Sequence, residues 1–169
     1  MAVVAAKWAR QCVVGHDDSH ARAVPELPGV YIGQNVAAGQ SSFVAVVKGW
    51  HSEVNNFKYG VGAIDKTKDI GHYTQVVSAT VSRIGCGSAK CPNSKTFYVC
   101  NYAVGQMGMI KPYKSGTNCA DCNKSCSGDS HLCASCPSQV SQMCASYEDD
   151  ACNPVVMSSR AILSVGLCI

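Results

Sequence analysis

Cysteine spacing limits this chain more than any other feature. Twelve cysteines are present: Cys12, Cys86, Cys91 and Cys100 precede residue 118, and eight lie between Cys119 and Cys168. Cysteines in such number belong to metal sites or to disulfides, and an even count suits full pairing. A chain of 169 residues can bury a core without cross-links. The shift in density marks a boundary, with one domain over 1–118 and a cysteine-rich hinge or tail over 119–169. "KPYKSGTNC", with its breakers Pro112 and Gly116, sits at that boundary. Within the tail, the Cys119–Cys122 and Cys133–Cys136 spacings suit a zinc ribbon as well as disulfides.

Charge narrows the partners. The net charge is +3 and no basic run occurs, so nothing supports nucleic-acid binding. The opening "MAVVAAKWARQC" has no charged region followed by an apolar core and a cleavage site, so it does not read as a signal peptide. It reads as helix, and a disulfide-rich chain of this kind reads as a mature form or a fragment. The closing "VVMSSRAILSVGLCI" is interrupted by Arg160 and is too short to span a bilayer, which argues against an integral membrane protein and leaves an anchor signal as a minor alternative.

Periodicity places the elements. Residues 2–14 read as a helix. Val30–Val36, β-branched and aromatic between glycines, reads as a strand. From Ser41 to Phe57 the apolar residues Phe43, Val46, Val47, Trp50, Val54 and Phe57 recur in steps of three and four, the mark of an amphipathic helix capped by Ser41 or Ser42. "HYTQVVSAT" is ambiguous. "SRIGCGSAKC" and "TFYVCNYAV" read as strands joined at "PNSK" into an antiparallel hairpin. Helices with short antiparallel strands make an α+β domain.

The polar residues able to converge on a site are His16, Gln34, Glu53 and His72. Spacing alone says little for them. A histidine is most often solvated or satisfied by one hydrogen bond, and Glu53 follows Trp50 closely enough to be the polar edge of a helix. Ser78 interrupts an apolar run, but no nucleophile elbow surrounds it.

Six segments in order, "KWARQCVVGH", "YIGQNVAAG", "GWHSEV", "GHYTQVV", "IGCGSAKC" and "FYVCNYAVGQ", resemble the CAP superfamily: cysteine-rich secretory proteins, antigen 5 venom allergens and pathogenesis-related proteins. "GHYTQVV" and "YVCNY" match its two signatures. The resemblance runs from about Ala2 to Cys119, and more loosely into the tail. It implies a three-layer α-β-α sandwich followed by a small disulfide-rich tail. By the same resemblance His16, Gln34, Glu53 and His72 line a central cleft, and His16 with His72 can hold a divalent cation such as zinc. Two histidines make a weak, exchangeable site, since structural zinc takes four ligands. Gln34 stands where most relatives have a carboxylate, so one acid is missing from the cleft. Ser78 stands where the family usually has tryptophan, and reads as a truncation at the edge of the core.

The resemblance also implies pairing: Cys12–Cys91, Cys86–Cys100, Cys119–Cys126 and Cys122–Cys133, with Cys136, Cys144, Cys152 and Cys168 in one of three connectivities. A further bridge found in many relatives would end at position 103, which is alanine here. The family's first helix, before the segment matching Ala2, is absent from this sequence. The functional expectation is a secreted, non-catalytic extracellular module that binds a cation in its cleft and engages a protein, lipid or sterol. One alternative is a secreted hydrolase with His72 as base, Glu53 as its orienter and a serine, threonine or metal-bound water as nucleophile. Another is a venom- or defence-type effector acting through the tail, although the tail matches the complete ion-channel-regulating module poorly.

Overall fold

The structure, a computed structural model, describes residues 1–106 and 109–117. The chain divides into two compact units, Met1–Tyr113 and Lys114–Ile169. Only residues 114–117 of the second are described, so the cysteine pairings expected from Cys119 onward lie outside the described residues.

The first unit is built on β5 (Thr96–Ala103), the middle strand of a three-stranded antiparallel sheet ordered β1-β5-β4. β1 spans Ile32–Ala38 and β4 spans Arg83–Lys90. Every residue of β5 after Thr96 is buried, because both faces of the sheet are covered. On one face, Phe97 and Val99 meet Ala5 and Ala9 of α1 (Ala2–Ala9). On the other, Tyr98 meets Phe43 of α2 (Phe43–Ser52) ring edge to face, with centroids 4.9 Å apart. Helix, sheet and helix make the three-layer α+β sandwich. A small hairpin of β2 (Phe57–Lys58) and β3 (Gly62–Ala63) and a short α3 (Gly71–Val76) complete it.

α1 reaches the sheet because two glycines of "IGCGSAKC" have no side chain. A Cβ on Gly87 would stand 2.5 Å from Ala6 Cα, and one on Gly85 would run into Ala2 and Met1. Small residues on α1 and none on β4 bring helix backbone against strand backbone. Cys12–Cys91 then ties the segment after α1 to the end of β4, across 79 positions, and Cys86–Cys100 cross-links β4 to β5, across 14. In the chain-entropy picture these closures contribute about 4.5 and about 3 kcal/mol.

Element ends depart from the sequence reading where tertiary contacts intervene. α1 stops at Ala9 rather than residue 14. Cys12 has φ of 56°, a left-handed conformation that no helix of L-residues continues through, and the turn aims its sulfur at Cys91. The first strand lies two residues later than read, over Ile32–Ala38. α2 begins as read, with Ser42 Oγ accepting from Ala45 N–H at 3.2 Å, but ends at Ser52. A 3-10 turn over Glu53–Asn56 follows, and Phe57 enters β2. The ambiguous "GHYTQV" is helical. Ser78 is not at the edge of the core: it is 2 % exposed, and its hydroxyl shares a hydrogen bond with Thr80 Oγ1 at 2.9 Å. Among the described residues no helix is long and apolar enough to cross a membrane.

The glycine contact gives a clear expectation. Gly87→Ala wedges a methyl between α1 and β4 and should cost at least about 2 kcal/mol, read from the urea midpoint. Gly49→Ala is the control. Gly49 sits inside α2 with open space beyond its Cβ, and that change should stabilise by about 0.5–1 kcal/mol.

Candidate functional site

His16 and His72 are each held by a separate piece of local structure. His16 follows α1 on a segment pinned at several points. Trp8 Nε1 donates to Gly15 carbonyl oxygen at 2.9 Å, the Cys12–Cys91 bond fixes the segment upstream, and Asp17 is buried against Arg22 downstream. The imidazole itself is exposed, and its Nδ1 lies 2.9 Å from Gln34 Oε1. The neighbouring Asp18 is quite different from Asp17. It faces solvent, and the backbone N–H and ring of His20 hold its carboxyl below the usual range.

His72 is the second residue of α3. Its Nδ1 lies 2.7 Å from Glu53 Oε1, with side chains 31 % and 18 % exposed. The other carboxylate oxygen, Oε2, accepts the backbone N–H of Tyr73 at 3.0 Å. α3 has no side-chain cap of its own, so Glu53 reaches over from the end of α2 to satisfy one of the free N–H groups of its first turn. One carboxylate thus orients an imidazole and caps the helix that carries it. The His72 ring stacks on Trp50, 6.0 Å between centroids and 15° between planes, while Trp50 Nε1 donates to Val36 carbonyl oxygen at 3.2 Å.

The two pairs meet at β1. Gln34 and Asn35 are consecutive residues of this edge strand, so their side chains leave it on opposite sides. Gln34 contacts His16. Asn35 donates to the backbone carbonyl of His72 at 3.0 Å and to Tyr102 Oη at 3.4 Å. Burial pushes the Tyr102 phenol well above the usual tyrosine range, and the Asn35 hydrogen bond offsets this only in part. The structure therefore joins His16 to Gln34 and Glu53 to His72. Among the described residues, no side-chain hydrogen bond links one pair to the other, and no group of three or more His, Cys, Asp or Glu side chains is gathered around a common cation position. An open cavity of about 430 Å³ lies beside Glu53, lined by Ser52, Glu53, Asn55, Asn56, Lys68 and Asp69; neither histidine lines it.

Sequence reasoning missed the residues behind Gln34. Asp17, Arg22 and Asn101 are buried and polar, and the Gln34 amide donates to Asp17 Oδ1 and Asn101 Oδ1, both at 3.0 Å. Asp17 and Arg22 lie in "GHDDSHAR", which reads as a solvated loop. No periodicity separates buried Asp17 from exposed Asp18. Asn101 carried a usable signal, a polar residue in the middle of the most apolar strand.

Both ring nitrogens that are engaged are Nδ1, which leaves Nε2 of each histidine outside these contacts. A neutral imidazole that donates through Nδ1 keeps an Nε2 lone pair, suited to a metal ion or to accepting a proton. Glu53→Ala should remove the His72 anchor and leave the Tyr73 N–H without its acceptor. The expected cost is about 2 kcal/mol in urea unfolding, with a smaller loss for Glu53→Gln, which retains one acceptor oxygen.

Comparison with known proteins gives a consistent pattern. The sequence model of the cysteine-rich secretory protein family, CAP, matches residues 1–102. A cysteine-rich venom protein of Conus textile is 48% identical over 128 residues, covering 75% of this chain and 40% of that protein. Cysteine-rich venom protein Mr30 of Conus marmoreus is 41% identical over 139 residues, covering 81% and 46%. The chain thus spans less than half the length of these curated relatives. Among solved structures, venom allergen-like protein 4 of Schistosoma mansoni matches with a TM-score of 0.59 at 29% identity, over 69% of this chain and 70% of that one. NaASP2, in a crystal structure with Zn2+, matches with a TM-score of 0.58 at 26% identity, over 78% and 71%.

Proposed function

The chain belongs to the CAP family of cysteine-rich secretory proteins, and on that premise we propose that it is an extracellular, non-catalytic binding effector whose histidine pair takes up a divalent cation weakly and reversibly. The observation that carries this reading is the anchoring of both imidazoles. His16 is tied through Nδ1 to Gln34 and His72 through Nδ1 to Glu53, so each has Nε2 for a ligand. Carboxylate- or amide-oriented histidine is the usual arrangement behind a metal ligand, because the outer partner fixes the ring and raises its basicity. His16 and His72 would hold zinc, with water or a bound molecule in the remaining positions, where the ion would polarise that molecule. The Zn2+ of the NaASP2 crystal is in keeping with this. Two disulfides in the first unit suit an oxidising compartment, and the venom proteins of the two Conus species suit an exported effector that meets a protein, lipid or sterol partner.

A hydrolase is the competing reading, and the His72–Glu53 contact favours it. Its weak point is the nucleophile. Ser78, the serine nearest the signature, is buried and bonded to Thr80. Peptide cleavage by the purified chain that disappears in Glu53→Gln would establish the hydrolase and displace the non-catalytic reading.

Zinc titration by calorimetry tests the proposal directly. The full chain should bind with micromolar or weaker affinity, and His16→Ala and His72→Ala should each weaken binding at least about tenfold, about 1.4 kcal/mol. Unchanged zinc affinity in both variants would remove the histidine cleft as the site.

A further inference from the structure

The buried network behind His16 determines which of its nitrogens meets a ligand. Arg22 anchors it: Nη2 donates to the Asp17 carbonyl at 2.7 Å and Nη1 to the Ile32 carbonyl at 3.4 Å. Arg22 Nε stands 2.7 Å from Asp17 Oδ1, an ion pair out of hydrogen-bond alignment, with both side chains less than a tenth exposed. An ionised carboxylate has only acceptors. Asp17 Oδ1 takes one hydrogen of the Gln34 amide, and Asn101 Oδ1 takes the other, both at 3.0 Å. With its two hydrogens committed, the amide has only Oε1 left to face His16 Nδ1, 2.9 Å away.

The reversed amide fails on physical grounds. It would set Oε1 against Asp17 Oδ1, acceptor on acceptor, at a residue only 8 % exposed. Turning Asn101 around would offer its otherwise unpartnered Nδ2 to that oxygen but would leave the clash with Asp17 in place. Since Gln34 presents an oxygen, Nδ1 of His16 must be the donor.

We propose that Gln34 is a positioning residue, its orientation fixed by Asp17 and Asn101, which holds neutral His16 as the Nδ1–H tautomer and so offers Nε2 to a cation or a proton. The inference deepens the cation reading of His16 but does not need a cation to be present.

The test is nitrogen NMR of the full, disulfide-bonded chain, labelled with 15N-histidine, metal-free and above the ordinary histidine titration range. His16→Ala assigns the signals. A protonated and an unprotonated ring nitrogen resonate far apart, so the tautomer is read directly, and a merely structural role for Gln34 would not move it. The wild type should show Nδ1 protonated and Nε2 bare. Gln34→Leu and Gln34→Met, both of which remove the acceptor, should shift the population toward Nε2–H. An Nε2–H wild type overturns the inference, as does a folded Gln34→Leu that keeps the wild-type pattern. If Gln34→Leu does not fold, the wild type and Gln34→Met still decide. Zinc titration of the same sample separates the two readings: a wild type with Nδ1–H that takes no zinc supports the positioning role while ending the cation reading.

Discussion

A slip of one residue between β1 and β5 would break the Gln34–His16 pair and remove the support that Asn35 gives the His72 backbone. The register sets Gln34 opposite Asn101 and Asn35 opposite Cys100. Because side chains alternate along a strand, a shift by one position exchanges every side chain from face to face. Gln34 would then leave Asp17 and His16, and Asn35 would leave the carbonyl of His72. Two constraints hold the register. β5 is buried on both faces, and a Cβ at Gly33 would collide with Gln75 of α3. The setting of His16 is therefore a property of strand pairing before it is a property of the histidine.

The edges of the site are held by groups that each serve two neighbours. Glu53 orients His72 and caps α3. Asp17 pairs with Arg22 and sets the Gln34 amide. In a half-buried setting such shared partners are expensive to leave unmatched, so removing one strands several polar atoms. Anchoring of this kind fixes the orientation of both rings.

Much of this was legible in the residues. The steps of Phe43, Val46, Val47 and Trp50 gave α2 its inward face, and alternation with a turn gave the β4–β5 hairpin. The ends were less so, because each is set by something distant: α1 by the bond from Cys12 to Cys91, α2 by Glu53 reaching toward α3. Serine at position 78 read as a truncation at the edge of the core, yet its hydroxyl is satisfied by Thr80 and the residue sits inside. His16, Gln34, Glu53 and His72 were picked out by family resemblance and not by spacing, since contacts from Gln34 to Asn101 or from Glu53 to Tyr73 leave no local pattern. Asp17 and Arg22 were hidden for the same reason: burial of an ion pair is decided by what covers it.

The chain contains two tryptophans, and each stands beside one of the two histidines. Trp50 stacks on the His72 ring, and Trp8 grips the carbonyl just before His16. The protein therefore carries its own pair of fluorophores, one per imidazole. A change at His72 alters the π-environment of one indole, while a change in the His16 segment alters the hydrogen bond of the other. Replacing either tryptophan with phenylalanine leaves a single indole, and with it an optical view of one imidazole at a time.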